Sequence, residues 1–207
     1  MPVRLPRLLV ALGLVAALGA GCGSSAKPSK PAAQSKATQF EGAVANPPKP
    51  APALKLRDST GKTLDLASLR GKAVLVTFLY VHCPDVCPLE TANLHTALKQ
   101  LGPQASKVQV VAVSTDPKGD RPKAVNAFLA KHQVTGEMRY LLGSKAQLAK
   151  VWQAWGIVSK PDPSAPGQVG HSALTYGISA SGKITTLYPS NFGPPQIVHD
   201  VPILAKQ

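Results

Sequence analysis

The chain is short of cysteine, of aromatic residues and of acids, and each shortage excludes something. Three cysteines in 207 residues are too few for a disulfide-stapled miniature scaffold, and too few for a four-thiolate zinc or iron–sulfur site within one chain. Phe, Tyr and Trp together make up 5% of the sequence, and no run of basic residues or groove-reading motif accompanies the positive charge. Nucleic acid is therefore not the expected partner. Ten acids stand against 23 Lys and Arg, a net charge of +13, which fits attraction to an anionic lipid surface. Six basic residues and one acid precede Leu54, so the rest of the chain keeps +8 of that charge. The apolar run at residues 8–20 is shorter than the ~20 residues a bilayer-crossing helix needs.

What is present fits one folded domain with appendages: 44% of residues are hydrophobic and 16% charged, too apolar for a disordered chain. Arg4 and Arg7 precede the apolar run and small residues follow it, the layout of a secretory signal. The run ends Leu18-Gly19-Ala20-Gly21-Cys22. This end resembles the lipobox of bacterial lipoproteins, which implies that Cys22 is acylated and becomes the N-terminus. Those boxes usually place Leu three positions before the cysteine, where this chain has Gly19. The alternative is cleavage by ordinary signal peptidase near Gly19 or Ala20. The lipid-anchored reading places the protein, exported, on the outer face of a bacterial cytoplasmic membrane. Residues 23–53, rich in Pro, Ala, Ser and Lys without apolar periodicity, read as a flexible tether. Residues 54–207 are the expected folded domain.

Within that domain, residues 54–56 and 63–66 flank the turn Asp58-Ser59-Thr60-Gly61, which predicts an N-terminal β-hairpin. The apolar, β-branched stretches at 73–81 and 108–114 read as buried strands. Helical spacing is expected over 89–101, 122–132 and 144–155, stopped by Gly102-Pro103 and Gly156 where the first and third end. A second hairpin is expected over 172–187, with a last helix after Gly193-Pro194-Pro195. Hairpin, strand, helix, strand, helix, helix, hairpin, helix describes an α/β fold of the thioredoxin-like kind, a central mixed sheet flanked by helices.

Cys83-Pro84-Asp85-Val86-Cys87-Pro88 stands where the first central strand gives way to a helix, the end of a sheet at which ligands gather. Cysteines in a helix's first turn lie at its positive pole, which lowers thiol pKa values, and both sulfurs are expected to be partly ionised at neutral pH. The three-residue spacer differs from the two-residue spacer of thioredoxin-type exchange enzymes. Two soft thiolates suit Cu(I). A plain structural disulfide is the alternative, and it would close too short a loop to add much stability. Among the five histidines, His82, His95, His132 and His199 read as surface or packing residues. His171 follows Gly170 at the start of a predicted strand, where thioredoxin-like topology can bring it to the cysteine turn; spacing alone leaves its role open.

Taken together, residues 78–88, the segment Ser114-Thr115-Asp116-Pro117-Lys118-Gly119-Asp120 and His171-Ser172-Ala173 resemble the Sco/SenC family of copper-binding proteins from about Leu54 to the C-terminus. The resemblance implies a membrane-tethered thioredoxin-like domain that holds one copper ion, Cu(I) and also Cu(II), through Cys83, Cys87 and His171. It implies as partner the copper-bearing subunit of cytochrome c oxidase or another copper-handling envelope protein. The role is that of a metallochaperone, or of a thiol–disulfide reductase in which Cys83 attacks and Cys87 resolves. Two departures stand out. Gly170 replaces the family's usual Asp, removing an acceptor that would orient the histidine ring. Gly119 replaces an arginine, leaving Asp116 and Asp120 with an expected structural role as loop or helix caps.

Overall fold

The computed structural model describes residues 39–161 and 168–207. The signal-like segment, Cys22 and the tether as far as residue 38 lie outside the described residues, as does the stretch 162–167. In chain order the elements are β1 (Ala43–Pro50), β2 (Lys55–Asp58), β3 (Thr63–Asp65), β4 (Ala73–Leu79), α1 (Val86–Leu101), β5 (Val108–Ser114), α2 (Pro122–Lys131), β6 (Met138–Leu142) and α3 (Lys145–Trp155). They continue with β7 (Ser159–Pro161), β8 (Val169–His171), β9 (Leu174–Ile178), β10 (Lys183–Pro189) and α4 (Pro194–Leu204).

Eight strands form one mixed sheet in the order β1-β10-β9-β4-β5-β6-β2-β3, and β7 and β8 make a separate antiparallel ribbon. β4, β5 and β6 run parallel; the other neighbours are antiparallel. This is the thioredoxin-like arrangement with the expected N-terminal hairpin, β2–β3, at one edge.

Every residue of β4 is buried, because helices cover the central strands from both sides and leave no polar face. Side-chain alternation divides the interior into two layers. Leu75, Leu79, Val110, Ala112 and Tyr140 pack with α1, α2 and α4 through residues such as Leu94, Phe128 and Ile197. Val74, Val76, Phe78, Val111 and Val113 pack on the other side with Leu148, Val151 and Trp155 of α3. Each fully buried Leu, Val or Phe contributes about 1.5–3 kcal/mol relative to exposure. Local signals fix α3: Ser144 and Gln147 form a capping box, and Gly156 closes the helix with φ 68°, a left-handed conformation that suits glycine.

The tether boundary moves. Residues 43–50, read from composition as part of the tether, pair with β10 instead. The segment enters through a clamp in which the buried Asp200 carboxylate accepts the amides of Glu41 and Gly42, each at 2.9 Å, together with the Tyr188 hydroxyl at 2.9 Å. Edge-strand pairing satisfies a proline-rich segment without any apolar pattern of its own, which is why composition misplaced it. The strand at Met138–Leu142 was also absent from the sequence reading.

Register sets the pole at which the site lies. β4 ends at Leu79, four residues before Cys83. The antiparallel pairings of Tyr176 with Val76 and of Leu174 with Pro189 bring the start of β9 and the end of β10 to that same end. Ala43 lies opposite Leu187, so the N-terminal end of β1 is there too.

Candidate metal centre

At the carboxyl end of β4 the backbone turns sharply, and Asp85 caps α1 by accepting the amide of Val86 at 2.5 Å. The first turn of a helix has amides without partners inside the helix. One of them, from Cys87, donates to the Cys83 sulfur at 3.3 Å. Both cysteines are free thiols and buried, Cys87 completely.

The two thiols behave differently. The Cys87 thiol donates to the Cys83 sulfur; with the amides of Cys87 and Asp85 and the Tyr80 hydroxyl, this outweighs burial and lowers Cys83 to about 6. Cys87, holding its proton for Cys83 and buried as well, is pushed far upward. The expectation that both sulfurs ionise near neutrality is thus corrected: one thiolate is stabilised by its neighbour's proton, since two adjacent anions in a buried site repel.

His171, on β8, approaches the Cys87 sulfur. Its Nδ1 donates to the backbone carbonyl of Ser172 at 3.1 Å, so Nε2 presents its lone pair to Cys87 Sγ, 3.7 Å away. Burial lowers the His171 pKa, partly offset by that carbonyl, so the imidazole is neutral at neutral pH and available as a donor to a metal. The Ser172 carbonyl takes the orienting role expected of the missing Asp at position 170. The Tyr80 ring meets the imidazole edge-on, centroids 5.7 Å apart at 86°, and burial holds the Tyr80 phenol up at about 12. A pocket of about 200 Å³ opens over the cluster, lined by residues including Tyr80, Cys83, Val86, Val169 and His171.

The remaining candidates fall elsewhere. His95 Nδ1 pairs with Glu137 at 2.8 Å, His199 Nδ1 with Asp200 at 2.7 Å, and His132 lies against the Phe128 ring at 4.5 Å; His82 is exposed. Asp120 is structural, accepting the Val81 amide at 2.9 Å, the Ser114 hydroxyl at 2.6 Å and the Tyr140 hydroxyl at 3.0 Å. It thereby ties the strand leading to Cys83 to β5 and β6. Asp116 accepts the Lys118 amide within its own loop at 3.0 Å.

Sequence reasoning missed Tyr80 and Glu90. Tyr80 ends an apolar stretch and reads as one more strand residue, yet it places a hydroxyl beside Cys83. Glu90, fully buried on α1, accepts the hydroxyls of Thr77, at 2.6 Å, and Thr175. It links the cysteine-bearing helix to β4 and to the strand that follows His171. Its other oxygen, Oε2, has no partner among the described residues, and burial raises its pKa. An acid three residues after Cys87 and four before Leu94, on the helix's apolar face, was the available signal.

A thioredoxin-like α/β domain with two thiols and an oriented neutral imidazole at one pole carries the donor types that soft-metal and redox sites use. The SCO1/SenC family model matches residues 45–206, and the chain belongs to that family. The mitochondrial SCO2 homologue of Bos taurus is 30% identical over 151 residues, 70% of this chain and 56% of the bovine protein, so the chain spans little more than half of that relative. ScoI of Bradyrhizobium japonicum, solved with copper bound, superposes with a TM-score of 0.66 at 29% identity over 73% of this chain and 97% of its own. A SCO1/SenC family lipoprotein of Bacillus anthracis superposes at 0.67 with 26% identity, over 77% and 98%.

Proposed function

We propose that this protein binds one copper ion through the sulfurs of Cys83 and Cys87 and the Nε2 of His171, and passes it to a copper-bearing partner outside the cytosol. That partner is the copper subunit of cytochrome c oxidase or another copper-handling envelope protein. The observation that carries the reading is the oriented imidazole: Nδ1 is occupied by the Ser172 carbonyl, and Nε2 faces the Cys87 sulfur at 3.7 Å. Two sulfurs suit Cu(I), and an added imidazole extends the set toward Cu(II). Three donors leave room for an incoming ligand, so the ion can leave by exchange. The bound copper in the B. japonicum relative supports the choice of metal.

Acylation of Cys22 and tethering to the outer face of the membrane belong to the same proposal. The signal-like N-terminus and the lipoprotein relative support it. The start of β1, the first strand after the tether in sequence, lies at the same end of the sheet as the proposed copper ligands.

The inequality of the thiols favours a second reading. A stabilised Cys83 thiolate beside a protonated Cys87 is the arrangement of a disulfide reductase. Cys83 attacks a target disulfide, and Cys87 then displaces the target thiol. The target gains two electrons and two protons while a Cys83–Cys87 disulfide forms. Replacing His171 with Ala separates the two. Under the copper reading it removes most copper affinity; under the reductase reading disulfide exchange proceeds and the loss of copper has no consequence for the partner. Retention of one tightly held copper by the alanine variant would defeat the three-ligand site.

A further inference from the structure

Beside the metal pocket lies a second depression of about 300 Å³, formed by the loop after β5, by α3 and by the β7–β8 ribbon. Its floor includes Trp152, Pro117 and Val169, and its rim carries Lys118 and Lys145. The polar atoms of the floor are already engaged: Trp152 Nε1 donates to the Ser114 carbonyl at 3.0 Å, and Ser159 Oγ to the Thr115 carbonyl at 2.9 Å. What remains for an occupant is the indole surface and two exposed ammonium groups, neither in an ion pair with a described residue. Asp116 is the one carboxylate among the described lining residues, and it is already bound to the Lys118 amide. Val169 also lines the pocket over Cys83 and His171, so the two depressions adjoin.

From this we infer that the groove is the docking site for an acidic segment of the partner protein, one carrying an apolar or aromatic side chain flanked by carboxylates. The aromatic side chain lies against Trp152 and the carboxylates meet Lys118 and Lys145, which brings the partner's own ligands to the neighbouring metal pocket. The +8 charge of the chain beyond residue 53 acts in the same direction, since a positive field speeds the approach of an acidic partner. The inference rests on the proposal that Cys83, Cys87 and His171 form the transfer site.

The test uses the full reduced chain in neutral detergent and a synthetic five-residue peptide with four Asp around one Phe. Two control peptides replace Phe by Ser, or Asp by Lys. Nuclear magnetic resonance follows the Trp152 indole N–H and the Val169 methyls. The acidic aromatic peptide is expected to shift both signals saturably, and the lysine peptide neither. The double substitution Lys118→Glu and Lys145→Glu, at exposed positions, is expected to weaken binding about tenfold or more, as reversal of two rim charges does, with copper uptake unchanged. The inference is overturned by no saturable shift, by equal shifts with the lysine peptide, or by self-association that buries Trp152 against a second copy. Copper uptake measured on the same samples keeps the two ideas apart. One copper per chain without peptide binding overturns the groove alone, whereas full copper retention after His171→Ala overturns the transfer site while peptide binding persists.

Discussion

A Cys83 thiol held at about 6 has a measurable chemical consequence. A thiol at the ordinary 9.0 is about one-hundredth ionised at pH 7, whereas one at about 6 is about nine-tenths ionised. Nucleophilicity falls as basicity falls, with a Brønsted coefficient of about 0.4–0.5, so a drop of three pH units makes the anion roughly twenty-fold less reactive. At equal access, alkylation of Cys83 by iodoacetamide at pH 7 should therefore exceed that of a simple thiol by only about four-fold and at pH 5 by about forty-fold. The burial of Cys83 lowers both rates by one common factor without moving the midpoint. The assay is rate against pH on the metal-free reduced protein, with the modified residue located by mass spectrometry. A midpoint near 6 is expected at Cys83, and no labelling of the fully buried Cys87 until the protein unfolds. Replacing Cys87 with Ala removes the largest stabilising donor and should move the midpoint upward. A native midpoint close to 9, or one that Cys87→Ala leaves in place, refutes the assignment of the proton to Cys87.

Two further outcomes follow from buried carboxylates. Burial raises Asp120 from 3.8 to about 6 against its three hydrogen bonds, so the folded protein holds that proton more tightly than the unfolded chain does. The resulting stabilisation is present below pH ~4 and lost as pH rises through 6. Urea unfolding at pH 4 and pH 7 should show native protein losing about 2–3 kcal/mol relative to Asp120→Asn, and parallel pH dependences would contradict this. Asp200→Ala strands the Glu41 and Gly42 amides and the Tyr188 hydroxyl. It should cost about 2–5 kcal/mol and accelerate hydrogen exchange at Gly42 and Ala43 ahead of the central strands; unchanged exchange there means that the clamp does not hold β1.

β4, β5, the hairpins and the helices, though not β6, were legible because their periodicities and stop signals are local: the unbroken apolar run of β4 and the Ser144 and Gly156 boundaries of α3 needed no tertiary information. β1 was not legible. Its pairing depends on an edge offered by β10 and on Asp200, a residue 158 positions away in sequence from Gly42. The cysteine pair was visible as a motif, but the division of one proton between its sulfurs was not, since that depends on the Cys87 thiol, the Tyr80 hydroxyl and the first helical amides converging on Cys83. His171 was marked by position alone. The carbonyl that fixes its tautomer belongs to the next residue and becomes visible only when β8 and β9 are folded. Glu90 carried a readable signal, an acid on an apolar helix face, that the sequence reading passed over.

The most direct measurement of the central claim is X-ray absorption at the copper edge on the loaded protein, compared with His171→Ala. Two sulfur scatterers and one imidazole nitrogen are expected in the native protein, with the imidazole contribution absent from the variant. Sulfur-only coordination in the native protein, or an imidazole signal that survives the substitution, would contradict a site built from Cys83, Cys87 and His171.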